Sequence, residues 1–279
     1  TTLFRSGYIR ASQILLDSRQ FDQARALLNE AADQCPDEPS LLREAATLEL
    51  ICGNWPEAIR QWLLVAAAAP DDAAAQVNLY RSLRNSGETR KADQLLTELL
   101  ARFPNDRVVA VEYGRSLNLS RSWERAREYW NSLRLRFPEE PAAIANAARA
   151  CRETGCLEEA DVLLTEAVAR FPRDVEVLME RAFLADRRKD WAASVSHWNA
   201  VRSLSPIHIL AHQREIEALI ALGHLDRAAA LADEAVRRLP EHPIVIGLPG
   251  RVASARGDWS TAYKLWMAAH ERFPERREF

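Results

Sequence analysis

A proline returns every 34 residues along the whole chain, at Pro36, Pro70, Pro104, Pro138, Pro172, Pro206, Pro240 and Pro274. A second column keeps the same register: Ala24, Ala58, Ala92, Ala126, Ala160, Ala228 and Ala262, with Ser194 in the remaining place. A fixed period of this length limits the fold more than any composition does. Thirty-four residues make one supersecondary element that cannot bury its own apolar face, so each copy must stack on its neighbours. Eight copies, 5–38, 39–72, 73–106, 107–140, 141–174, 175–208, 209–242 and 243–276, account for nearly all of the 279 residues. The expectation is a single array over 5–276, with 1–4 and 277–279 as flanks of a piece excised from a longer protein.

Each copy reads as two amphipathic helices with apolar residues at three- and four-residue spacing. In the second copy these fall at about 39–51 and 55–68. Small residues recur in the first helix at Ser12, Ala46, Gly114, Ala148, Ala182 and Gly250, where two helices must approach closely. The alanine column does the same in the second helix. Gly53, Gly87, Gly155, Gly223 and Gly257 fall in the turn between the helices, where a left-handed residue closes the first one. The proline then ends the second helix, because the residue before a proline is pushed out of the α region. Asn54, Ser122, Asp190 and Asp258 each precede a tryptophan and are expected to cap the second helix. The last copy carries Gly247, Pro249 and Gly250, and a proline in a helix interior costs ~3 kcal/mol. Its first helix is therefore expected to start late, with Pro249 in its first turn, or to kink.

Period, turn glycine, paired small residues and closing proline together resemble the tetratricopeptide repeat family over residues 5–276. The resemblance implies an all-α fold, a right-handed α-solenoid of helix-turn-helix repeats whose first helices line a concave groove. Members of that family mostly bind proteins or peptides there.

A longer period overlies the first. All eight tryptophans fall in alternate copies as pairs seven residues apart: Trp55/Trp62, Trp123/Trp130, Trp191/Trp198 and Trp259/Trp266. Seven residues is two helical turns, so each pair shares one helix face. These rings are expected to fill space between helices; a ladder for stacking bases or sugars would need them exposed.

Bulk properties exclude several function classes. A net charge of −3 and a pI near 6.1 argue against a general nucleic-acid or anionic-membrane binder. The longest apolar run, Trp62 to Ala69, is far short of the about 20 residues a membrane helix needs. Cys35, Cys52, Cys151 and Cys156 form no CxxC pair and read as free thiols. That usage favours a reducing compartment, the cytoplasm, with the periplasm as the alternative if a signal sequence was removed. Only Lys91, Lys189 and Lys264 are lysines among the cations, and with the heavy use of alanine this points to a GC-rich bacterial gene. No nucleophile elbow, glycine-rich phosphate loop or HExxH helix occurs, so neither an enzyme activity nor a cofactor nor a metal is expected. His208 and His212 share a helix face near Glu215, which is half of a metal site with the rest missing.

The resemblance also indicates where a ligand would sit. One groove-facing column reads Gln13, Thr47, Arg81, Arg115, Arg149, Phe183, Glu217 and Arg251. One turn later come Arg84, Asn118 and Arg152, and one turn earlier Asn78, Glu112 and Asn146. Five arginines with asparagines beside them form the candidate peptide-binding site. Arginine offers a bidentate fork to carboxylate, and asparagine pairs with both groups of a peptide backbone. This looks like the arginine-or-lysine plus asparagine clamps that some tetratricopeptide grooves use on peptide carboxylates. Glu112 departs from that pattern as an internal neutraliser of Arg115 or Arg149. Glu176, Glu180, Asp186 and Glu217 turn the later copies acidic.

The function expected is a protein-interaction scaffold that binds an acidic or C-terminal peptide segment. The alternative is a non-catalytic accessory region of a larger bacterial enzyme, such as a glycosyltransferase or polysaccharide-synthesis factor. With no polar capping helix around Leu3 or after Trp266, the array ends are a second expected contact surface.

Overall fold

The computed structural model describes residues 2–18, 20–35 and 38–274. Thr1, Pro36 and the flank 277–279 lie outside the described residues. Two compact units divide the chain, Thr1–Ser116 and Leu117–Phe279. The first holds α1 (Thr2–Asp17), α2 (Phe21–Gln34), α3 (Pro39–Cys52), α4 (Trp55–Ala68), α5 (Ala73–Asn85), α6 (Thr89–Arg102) and most of α7 (Arg107–Leu119). The second continues with α8 (Trp123–Arg136), α9 (Pro141–Glu153), α10 (Leu157–Arg170), α11 (Val175–Arg188) and α12 (Trp191–Leu204). It ends with α13 (Ile209–Ala221), α14 (Leu225–Arg238), α15 (Pro243–Ala255) and α16 (Trp259–Arg272). No strand occurs among the described residues.

The register is that of the proline column. Odd-numbered helices from α3 onward, and all even-numbered helices, start every 34 residues. From α4 onward each even-numbered helix stops two residues before its proline, as the restriction on the preceding residue requires. Ala24, Ala58, Ala92, Ala126, Ala160, Ser194, Ala228 and Ala262 are all completely buried. A larger side chain in that column would wedge adjacent helices apart. The core of the first unit gathers Trp62, Val65, Leu79, Tyr80 and Leu96 around this column. In the second unit Leu178, Trp198 and Val201 form one cluster and Ile216, Leu219, Leu231 and Leu248 another.

The predicted turn glycines all adopt positive φ, from 73° at Gly53 to 89° at Gly87. Arg121 and Lys189 occupy the same turn position in two further copies and take φ of 53° and 58°. Capping is divided. The side chains of Asp190 and Asp258 accept from the amides of Ala193 and Thr261. Asn54 does not cap: its Nδ2 donates to the buried Glu49 at 2.8 Å, a charge-assisted bond that sets the orientation of the amide. Ser122 makes no cap bond either, its hydroxyl lying 3.2 Å from that of Ser120.

Trp62, Trp130 and Trp198 fill the inter-helix space and are almost wholly buried, whereas Trp55, Trp123 and Trp191 are half-buried. On α16 the pattern opens: Trp266 is half-buried and Trp259 is 67% exposed. The expected late start of the last copy's first helix is not seen. α15 begins in register at Pro243 and carries Pro249 in its interior. Pro249 cannot donate to Val245, yet Val245, Leu248 and Val252 are buried around it. Burial of this apolar stripe outweighs one missing backbone bond. Gly250 belongs to the same compromise, since a Cβ there would come within 2.4 Å of the Trp266 Nε1.

A second tie recurs where even-numbered helices end. The guanidiniums of Arg102, Arg170 and Arg272 lie 5.1–5.8 Å from the rings of the phenylalanines that follow them, Phe103, Phe171 and Phe273. Each also reaches an acid in the preceding proline turn: Asp71 at 2.9 Å, Glu139 at 3.2 Å, and Glu241.

Candidate functional site

The nine site residues all lie on first helices and divide between the units. In the first unit α5 carries Asn78, Arg81 and Arg84, and α7 carries Glu112 and Arg115. The 34-residue stagger sets α5 and α7 side by side, so Glu112 meets the arginine 31 residues before it. Arg81 donates to Glu112 Oε2 through Nε at 3.0 Å and Nη2 at 2.5 Å. Its third nitrogen, Nη1, donates to Asn78 Oδ1 at 3.3 Å. Arg115 Nη1 stands 4.0 Å from the same glutamate oxygen. Glu112 is buried, whereas the side chains of Arg81 and Arg115 are 36% and 39% exposed. Arg84 turns away from this group to Asp93 of α6 at 3.1 Å.

In the second unit the two asparagines are interior. Asn118 donates to Asn146 Oδ1 at 2.7 Å and accepts from Trp130 Nε1 at 3.2 Å. Asn146 donates to the Ala142 carbonyl and to Glu176, both at 2.8 Å. These amides join successive first helices and supply the indole with its acceptor.

Arg152 of α9 is committed as well. It donates to Glu180 of α11 at 3.0 Å and to Glu153 at 2.7 Å, and its guanidinium lies 5.2 Å from the Phe183 ring centroid. Phe183 in turn meets Trp198 edge-on, with centroids 4.9 Å apart. Burial pushes the Glu180 carboxyl above its ordinary pKa, and the nearby Arg152 only partly offsets this. Arg149 differs from the others. Its guanidinium lies 5.9 Å from the Trp123 ring, and its Nε has no hydrogen-bond acceptor.

Sequence reading missed the ring partners Trp123 and Phe183. The tryptophan pairing and Phe183's place in the groove column were signals that both rings lie beside arginines. His208, His212 and Glu215 have structural employment. His208 Nδ1 accepts from the Ala211 amide, and His212 Nε2 donates to the Pro206 carbonyl at 2.9 Å. Glu215 accepts from Arg202 at 2.9 Å. Burial raises the Cys151 thiol to about 12. Among the described residues no three histidine, cysteine or acidic side chains gather as metal ligands, and no helix is long and apolar enough to cross a membrane.

Residues 9–74 match the family model of the tetratricopeptide repeat. Among solved structures, yeast Tom70 is similar with a TM-score of 0.69 and 14% identity over 91% of this chain and 55% of that one. The chain thus spans only about half of the Tom70 structure. A tetratricopeptide repeat protein from Parabacteroides merdae gives a TM-score of 0.59 at 16% identity, covering 86% of this chain and 94% of that one. The human IFIT1 dimer with m7Gppp-AAAA gives 0.58 at 12% identity, covering 95% of this chain and 71% of that one. No curated protein sequence matches at a significant level. These likenesses share one fold, the all-α solenoid of helix-turn-helix repeats.

Proposed function

We propose that this tetratricopeptide-repeat protein is a protein-interaction scaffold that takes an acidic peptide segment, or a peptide's C-terminal carboxylate, on the face of its first helices. One observation carries the reading. In the first unit Arg81 and Arg115 both face the buried Glu112 and keep 36% and 39% of their side chains exposed, so guanidinium groups border solvent there. A carboxylate arriving there meets guanidiniums that Glu112 holds in position and exchanges with that glutamate for them, and the Asn78 amide stands beside Arg81 for a backbone carbonyl. In the second unit Arg149 supports the same reading, because its guanidinium lies over the Trp123 ring, 5.9 Å from the centroid, rather than on a carboxylate.

The test is a fluorescence-anisotropy titration of the whole chain with fluorescein-labelled hexaglutamate, and with hexaglutamine as the uncharged control. Arg115→Gln and Arg149→Gln should each weaken hexaglutamate binding about tenfold, as expected for loss of one charge-assisted contact. Circular dichroism checks that both variants remain as helical as the parent. Equal affinity of the parent for the two peptides at 0.1 M salt would refute the proposal.

A further inference from the structure

Glu44, Glu112 and Glu180 stand 68 residues apart, at one position of the first helices α3, α7 and α11. Each reaches back to the first helix of the preceding copy. Gln13 donates to Glu44 at 3.1 Å, Arg81 to Glu112 at 3.0 Å through Nε, and Arg152 to Glu180 at 3.0 Å. In the first of these contacts the partner is a neutral amide and the pair lies at the surface. In the other two the partner is an arginine, and each glutamate is only 6% exposed. The arginines so held are residues of the proposed ligand face.

We infer that Glu112 and Glu180 are specificity-setting residues of this face: each occupies an arginine that a ligand would use, so an acidic peptide binds by displacing an internal carboxylate. The inference rests on the function proposed above. Its physical basis is a two-state exchange. An arginine bound to its own glutamate is unavailable, and apparent affinity falls by the fraction of time the pair is open. Burial makes each pair hard to open, because attraction grows where water is excluded and a buried carboxylate left alone is costly. A lone carboxylate therefore competes poorly, and a ligand needs a run of acids to win the exchange. Glu112 and Glu180 reject weakly acidic peptides as well as delaying strongly acidic ones.

The test repeats the hexaglutamate titration with Glu112→Gln, Glu180→Gln and Glu44→Gln. All three add the same charge to the same column, but Glu44 is bonded to Gln13 and not to an arginine. Glu112→Gln and Glu180→Gln should each tighten binding about tenfold, and Glu44→Gln less than twofold. The gain should survive 0.5 M NaCl, where screening reduces the range of a diffuse field to about 4 Å. If the two variants track Glu44→Gln, or fade with salt as it does, the effect is net charge and the inference is overturned. Parent binding left unchanged by both variants overturns the inference alone. No binding by the parent or any variant overturns the proposed function with it. Binding that appears only when a glutamate is removed supports the inference in its strongest form. Should Glu112→Gln lose helicity, Glu180→Gln in the other unit carries the decision.

Discussion

Arg121 and Lys189 hold a backbone conformation that five other turns give to glycine. For a residue with a Cβ the left-handed region costs about 1–2 kcal/mol, because Cβ crowds the next carbonyl. Glycine avoids that strain but loses more chain entropy on folding, about 0.5–1 kcal/mol. The strain is the larger of the two, so Arg121→Gly and Lys189→Gly should each stabilise the chain by about 0.5–1 kcal/mol in urea denaturation. Gly155→Ala should move stability the other way by a similar amount. If both glycine variants are less stable than the parent, side-chain contacts of Arg121 and Lys189 outweigh the backbone. The glycine turns were legible in sequence because the requirement is local. The two exceptions were not, since a neighbouring copy's register forces the conformation where the residue does not prefer it.

At the scale of helices, the second tryptophan of each pair shows how one packing position is polished differently. Trp130 and Trp198 donate their indole N–H to the residue twelve positions earlier, Asn118 and Asp186. For Trp62 that place is taken by Leu50, and its buried N–H has no partner. Replacing tryptophan by phenylalanine removes a similar volume at each site, so the difference between sites isolates the hydrogen bond. Trp198→Phe should cost about 1 kcal/mol more than Trp62→Phe, measured by chemical denaturation. Equal losses would mean that the Asp186 contact contributes nothing net. Periodicity placed these rings in the core, but not their acceptors, because an indole's partner depends on how two helices turn toward each other. Pro249 illustrates the same limit. Local preference predicted a displaced start or a kink, and the packing of Val245, Leu248 and Val252 kept the start of the helix in register.

Over the whole molecule, stability of a repeat array is close to a sum of copy and nearest-neighbour terms. Two candidates for the neighbour term are visible, and their magnitudes separate them. The arginine ties at the proline turns are exposed, as with Glu139 at 86%, and such pairs are worth about 0–1 kcal/mol. The alanine column is wholly buried, and over-packing there costs about 1–3 kcal/mol. Arg170→Ala should therefore destabilise by less than about 1 kcal/mol, and Ala160→Leu by more than Arg170→Ala, in paired denaturation curves. The reverse order would make the ties the main link between copies. The period, the helices, the turns and the buried columns follow from the order of residues alone, because each rests on signals within a few residues or on strict repetition at 34. That order also marked the arginine columns as the face to watch. What those arginines hold depends on how the helices stack. The acids that hold Arg81 and Arg152 lie on the next copy's first helix, 31 and 28 residues away, and the burial of Asn118 and Asn146 depends on the same stacking. A residue's type fixes its charge, but its partner and its access to water are set by the helix packed against it.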